Sequence, residues 1–591
     1  MWLTIHRWPL LVSLSLLATG TAGVVRPASG AQGGAEQCIP QQAVLVAQIP
    51  APQPLLDLAF DPNTLRTAAS VPGFEAALAH PGLRRAQQVT AYLATQLGMD
   101  WRTGLGKLIG GGVTLALLPR QAVLVVIDSS DATMLAQLND LLVKSAAADA
   151  PKRERVKSSV HEGVTCWSLG EAAHYAILDG RLVLSNRFEA LKLALDLQGR
   201  DSGSSLAEQP GYQAAKQAAT STASEHASGW VYLDLALLKQ IPKLEAALAQ
   251  NANPLATLLS ADLTEALRQS KWLALRWDLS SRRLALIATV DGLPAADDAS
   301  TKFATPRDPQ AGALPNLVVP RRLAAASLYR DLSGFYANKE RLFPERTSGL
   351  VFFENMMAIF FTGRDLTREV LAEVEPEVRL VAAQQQYDPA TGKPQPEVPA
   401  FAAVFRIKHP QTFGEVAEEA WQKALGLANF TRGQKAQPGL ILDKASHGEI
   451  RYSLAYFSAA EEEDRSRLDT RFNFRPTLVK LDEYLILSSS DGLAKDLIDT
   501  IQQEAARPPQ PLATTHSVVE VDAAVLAAML RANREPLVRN SMLKKGLAQE
   551  QAEAQFDLVV SVIQRFRGAK LLVDSPAGQT RAVLELDWTR P

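Results

Sequence analysis

Cysteine is almost absent. Cys38 and Cys166 are the only two in 591 residues, which excludes a fold built on disulfides. Without further ligands they cannot form a metal centre. In an oxidising compartment they could pair, closing a loop of more than a hundred residues, or they could stand as independent thiols. Spacing leaves both open, because a bridge needs Cα atoms about 4.4–6.8 Å apart. Charge of one sign is also lacking: 61 basic and 63 acidic side chains leave a formal net charge of -2. No basic block or stripe is visible, so no nucleic-acid partner is expected.

Catalytic templates are missing as well. Gly104-Leu105-Gly106-Lys107 lacks the features of a phosphate loop: Trp101 stands where the first Gly belongs, and Leu108 replaces the Ser or Thr after the Lys. Gly110-Gly111-Gly112 reads as a turn leading into a strand. Ser541-Met542-Leu543-Lys544 fits S-x-x-K, but the partner motifs of serine acyl-transfer enzymes and any G-x-S-x-G elbow are absent. The eight histidines make no H-E-x-x-H and no cluster with cysteine, so neither a locally encoded zinc site nor a cofactor is expected. Asp128-Ser129-Ser130-Asp131 lacks the later oxygens and the Gly of a calcium loop, and reads as a cap for a helix starting near Ala132.

Long hydrophobic runs are missing too, and the start of the chain has only a short apolar region. Arg7, the apolar stretch Leu10–Ala18 and small residues with cleavage points after Ala22 or Ala31 read as a signal peptide over residues 1–31. The apolar stretch is too short to span about 30 Å of hydrocarbon at 1.5 Å per residue. Residues 1–31 therefore predict export to the periplasm or beyond, with no transmembrane span after cleavage. Cys38 lies too far past the apolar run to read as a lipid-attachment site.

What the chain does contain is an internal echo. Gly98-Met99-Asp100-Trp101 through Val113–Ala116 matches Gly363-Arg364-Asp365-Leu366 through Val378–Val381 at identical spacing, each reading as an Asp cap, a short helix and a strand. Ala122–Ile127 matches Phe401–Ile407, each a strand followed by an amphipathic helix. Ala176–Ser185 matches Leu478–Ser488, with a two-residue turn at Asp179-Gly180 in the first; Glu483 replaces that Gly in the second, so its turn must differ. The helices that follow carry Ala190/Leu191 with Ala194/Leu195 and Leu493/Ala494 with Leu497/Ile498, the stripe of a helix laid on a sheet. Trp230–Asp234 matches Val518–Asp522, and two long strands close each half.

These blocks predict an α+β fold: two tandem diverged copies, each an antiparallel sheet of roughly five to seven strands packed against helices. Copy one spans residues 38–291, a Pro-rich linker 292–320, and copy two 321–591. Copy one carries a Ser/Ala-rich insert at Gly199–Ser228 with one short helix. Copy two adds a hairpin arm around Tyr387–Glu397, a charged excursion at Glu461–Arg471 and a helix over Gln549–Phe566 packing through Phe556, Val559, Val560 and Ile563.

Copy two also holds the least bland segment, Phe352–Phe361. Phe352, Phe353, Met356, Met357, Phe360 and Phe361 leave only a stripe of Glu354, Asn355 and Ala358 that is not strongly apolar. Burial between the sheet and neighbouring helices would explain it. So would an interface, since Met- and Phe-rich faces suit adaptable contacts. The counterpart Gln87–Gln96 is far more polar, which puts any partner surface mainly on copy two.

The export signal, Gly363-Arg364-Asp365 through Val378–Val381, the block Leu478–Ile501 and its echo at Ala176–Leu197 resemble a family of uncharacterised secreted bacterial proteins, of planctomycete type, that carry a domain of unknown function. The resemblance implies no activity, cofactor or site residue. The expected function is a non-enzymatic envelope or periplasmic binding or scaffold module, with a possible envelope protein partner. The competing reading is a hydrolase-like enzyme with its site in the cleft between the copies. A membrane-surface role lacks the basic amphipathic helix it would need.

Overall fold

The computed structural model describes residues 33–62, 95, 98–148, 156–171, 173–198, 204–221, 227–240, 253–280, 282–292, 302–306, 308–387, 392–458 and 468–588. The segment 1–31, the charged residues 461–467 and all of Gln87–Gln96 except Thr95 lie outside these. The fold is a mixture of helix and antiparallel sheet. The chain divides into two compact units. The first takes the described residues up to 247 and Ser270–Asp291; the second takes those of Leu248–Gln269 and Gly292–Thr589.

The strands of the first unit are β1 (Leu45–Ile49), β2 (Gly112–Leu118), β3 (Ala122–Asp128), β4 (Val156–His161), β5 (Val164–Leu169), β6 (His174–Leu178), β7 (Arg181–Ser185), β8 (Ala227–Asp234), β9 (Trp272–Leu279) and β10 (Arg283–Val290). They pair antiparallel in the order β10-β9-β8-β1-β2-β3-β7-β6-β5-β4. Those of the second are β11 (Arg322–Tyr329), β12 (Val374–Ala383), β13 (Ala400–Ile407), β14 (Ile441–His447), β15 (Ile450–Tyr456), β16 (Thr477–Leu481), β17 (Tyr484–Ser488), β18 (Thr515–Asp522), β19 (Phe566–Asp574) and β20 (Thr580–Trp588). Their order is β20-β19-β18-β11-β12-β13-β17-β16-β15-β14, again antiparallel throughout. Strand for strand, the second order repeats the first. Each sheet is wider than the five to seven strands expected. Outer strands such as β14, with its Asp-Lys-Ala-Ser-His stretch, are too polar to stand out as apolar runs.

Among the described residues, the helices of nine residues or more are α1 (Trp101–Ile109), α2 (Ala132–Ala148), α3 (Phe188–Gln198), α4 (Pro210–Thr220), α5 (Pro254–Gln269), α6 (Thr347–Phe360), α7 (Pro410–Gln434), α8 (Asp491–Ala506), α9 (Ala523–Ala532), α10 (Arg534–Lys545) and α11 (Gln549–Ile563). Local chemistry places several of them. Asp100 caps α1 by accepting from the Arg102 and Thr103 N–H groups, and Asp131 accepts from the Met134 N–H at the start of α2. Asp365 accepts from the Arg368 N–H, but the element it starts, Leu366–Val370, is one wide turn. At the hairpins, Asp179 and Gly180 have φ of 51° and 79°, whereas Asp482 alone keeps a positive φ of 50° in the second. Glu483 instead pairs with Arg406 at 2.9 Å.

The apolar stripes of α3 and α8 are buried as their spacing predicts. In the second unit α8 covers one sheet face, where Leu493, Leu497 and Ile498 meet Val404, Val479 and Ile486. The opposite face, Phe405, Ile407, Leu478 and Leu485, lies against α6 and α7. Alternation along each strand divides the two sets. On α11, Val560 is buried but Val559 points to solvent, and the helix ends at Ile563.

Residues 302–306 and 308–320 form neither helix nor strand, yet Phe303, Leu314 and Leu317 are buried. Leu512 and Thr515 exchange backbone hydrogen bonds with Ala313. The Gly199–Ser228 insert carries α4, which lays Tyr212, Ala215 and Ala219 into the core of the first unit. Around Tyr387–Glu397 no strand pair forms among the described residues. The Asn473 side chain holds that segment: its amide donates to the Pro396 carbonyl at 3.0 Å, and its oxygen accepts from the Val398 N–H at 2.8 Å and the Tyr387 hydroxyl at 2.7 Å. Cys38 and Cys166 are both free and buried.

Candidate functional site

The second unit contains a cavity of about 360 Å³ between the outer sheet face and α7. Its origin is in the sequence of α7. Pro410 sits in the first turn, where its missing N–H costs nothing. Phe413, Ala417, Ala420 and Ala424 then follow at i, i+4, i+7 and i+11, one face of the helix. Three of those four are alanine. Opposite them stand Phe405, Leu478, Leu485 and Leu487 of the sheet. Short side chains on the helix cannot reach the sheet residues, so space remains along the stripe.

Other elements wall that space without filling it. Met357 and Phe360 of α6 and the following Phe361 form one side; Val370, Leu371, Val374 and Leu332 close another; Trp421 of α7 completes the lining. All sixteen lining residues are apolar and none carries a titratable group. A water inside finds no cluster of polar partners to hold it. At about 24 cal/mol per Å³, a closed void of this size would cost about 9 kcal/mol, comparable to the net stability of a whole domain. The mouth is open, which reduces that figure, but close-packed interiors seldom keep such a space.

The cavity brings together half of the six candidate interface residues. Met357, Phe360 and Phe361 line it, while Phe352, Phe353 and Met356 do not. Helix α6 is not buried between sheet and helices: none of its residues is buried, and Phe352 and Ile359 are each 71% exposed. Leu350 and Met357 of its inner side pack on the core together with the following Phe361, and its outer stripe of Phe352, Asn355 and Ile359 faces solvent. Polar ties hold its middle and its C-terminal end. Glu354 pairs with Lys339 at 3.2 Å. Thr362, just beyond the C-terminus, donates to Glu419 at 3.1 Å and accepts from Lys423 at 2.9 Å. Residues missed in the sequence, above all Ala417, Ala420, Ala424 and Trp421, left one usable signal, a small-residue stripe on a long helix.

Several ionisable groups near the lining are paired. Lys423 lies 2.8 Å from Glu419, Lys480 lies 2.6 Å from Glu418, and His409 lies 2.9 Å from Glu373. Lys408 donates to the Ala372 carbonyl and Arg364 to that of Phe361. The Lys480 and Ser453 hydrogen bonds hold the Glu418 carboxyl below its usual range against the opposing effect of burial. Lys423 and Thr362 do the same for Glu419.

A second cluster in the same unit is buried and polar. Arg330, Asp262 and His516 are 1%, 2% and 0% exposed. Arg330 stands 3.6 Å from Asp262, and His516 Nδ1 stands 3.0 Å from the same carboxylate. The guanidinium donates to the carbonyls of Leu258, Leu259, Tyr329 and His516 and to the Ser517 hydroxyl. Burial alone would raise the Asp262 carboxyl, but the Arg330 charge and the His516 hydrogen bond outweigh it and hold it low. Helix α5 is tied to β11 and β18 through this cluster. Its depth suits packing, and one buried atom of it, His516 Nε2, has no hydrogen-bond partner among the described residues. Among the described residues no group of three or more His, Cys, Asp or Glu could hold a metal ion, and no helix is long and apolar enough to cross a membrane.

No protein-family model matches the chain, and no curated protein matches it. Among solved structures it is similar to crystal form III of TP0453, at a TM-score of 0.24 and 10% identity over 45% of this chain and 83% of that one. Crystal form I of TP0453 gives a TM-score of 0.23 and 9% identity over 46% and 84%. Likeness at that level carries no argument about fold or function.

Proposed function

We propose that the protein is a non-enzymatic binding module of the bacterial envelope, exported by its N-terminal segment, whose binding site is the apolar cavity of the second unit. One observation carries this reading: a cavity of about 360 Å³ whose lining holds no titratable group. Ligand sites usually measure about 300–1,000 Å³ and are mainly apolar. General acid–base or nucleophilic chemistry needs a positioned proton-transfer group or nucleophile at the reacting atoms, and this lining offers neither. The two units are read as diverged copies of one α+β unit, because the strand order of one repeats in the other and the hairpin-to-helix blocks match in sequence. The resemblance to secreted proteins of planctomycete type agrees with export and adds no activity.

Titration with N-phenyl-1-naphthylamine, a neutral apolar fluorophore, tests the site. Saturable one-to-one enhancement is expected, and Ala417→Leu with Ala420→Leu should remove it by filling the stripe while the protein stays folded. Equal enhancement in the filled variant, or none in the natural protein, refutes the reading.

A further inference from the structure

We infer that the cavity selects the aliphatic chain of a single-chain amphiphile and is indifferent to its head group. This rests on the proposed apolar site and names its ligand class. Three observations carry it. First, the lining offers no charged partner for a polar group, so a ligand with polar atoms along its length would lose its hydrogen bonds to water without replacement. Second, the volume is limited. A methylene takes ~30 Å³, similar to the share of a water molecule, so about 360 Å³ holds on the order of twelve of them. That is the scale of one aliphatic chain.

Third, several ionisable side chains near the lining are already engaged. Lys423 is shared between Glu419 and Thr362, Lys480 is held by Glu418, His409 by Glu373, and Arg364 and Lys408 by backbone carbonyls. An incoming carboxylate or phosphate would have to displace one of these partners. The head therefore stays in solvent beside a rim of balanced charge, and chain length sets affinity. Each buried methylene is worth about a four-fold gain in affinity.

Trp421 lines the cavity and reports occupancy. Terminally brominated alkanoates of increasing length should quench its fluorescence, and Trp421→Phe should remove that component. Affinity should rise about four-fold per methylene and level off near twelve carbons. Matched chains bearing a carboxylate, an alcohol, a quaternary ammonium or a lysophosphatidylglycerol head, displacing the neutral fluorophore, should agree within about three-fold. A preference above about ten-fold for one head, or affinity flat with chain length, overturns the inference. Either result leaves the apolar site standing if the fluorophore still binds and the filled variant still blocks it. Failure of the fluorophore itself removes the site.

Discussion

Replacing Asp262 with Asn removes one charge and almost no volume, and the structure sets its cost. Asp262 and Arg330 are buried 3.6 Å apart, where an effective dielectric near 20 gives an attraction of roughly 4–5 kcal/mol. Breaking a buried pair by removing one partner typically costs about 3–5 kcal/mol, because the surviving charge is left uncompensated. Arg330 keeps its five oxygen partners in the variant, and Asn still offers an oxygen to His516. The lower end, about 3 kcal/mol, is therefore expected, a fall of roughly 4–5 °C in melting temperature for a unit of about 320 residues. Hydrogen exchange localises the effect: amides of α5, which supplies Asp262 and the Leu258 and Leu259 carbonyls, should open well before those of the first unit. The Asp262 carboxyl is held low in the folded protein. Its contribution is thus complete above the unfolded value near 3.9 and is lost as pH falls through the folded one. The gap between natural protein and variant should be widest at neutral pH and close in acid. A D262N protein within 1 kcal/mol of the natural one at pH 7, with α5 exchange unchanged, would refute the argument.

The two thiols are buried, and burial pushes both above their usual range. Native protein should react with neither equivalent of an aromatic disulfide reagent within minutes, and denatured protein with two. Substituting Phe352 or Ile359 with Ser should change stability by under about 0.5 kcal/mol, because each already faces water. Leu485→Ala, at the cavity wall, should cost about 2–5 kcal/mol in urea denaturation. Asn473→Ala leaves the Pro396 carbonyl and the Val398 N–H without their side-chain partner. Limited proteolysis should then cut the Tyr387–Glu397 segment at least several-fold faster, and unchanged cleavage would show that other contacts hold it.

What the sequence determined by itself is local. Asp100 and Asp131 mark helix starts because a cap is a contact over two or three residues. The Asp179-Gly180 turn, the buried stripes of α3 and α8 and the antiparallel pairing follow from periodicity and turn chemistry. The apolar character of Phe352–Phe361 was legible, but its exposure was not, since hydropathy does not say what lies opposite. The cavity was decided by tertiary structure. It is the gap between an alanine stripe on α7 and large side chains on β13, β16 and β17, and a gap depends on two surfaces whose distance no single segment encodes. The place of α5 was decided the same way. Its sequence lies within the first copy as read from the chain, yet it belongs to the second unit, where Arg330 finds its carbonyls and its charge partner. A buried guanidinium needs several oxygens converging from different elements, and only the folded chain brings them together.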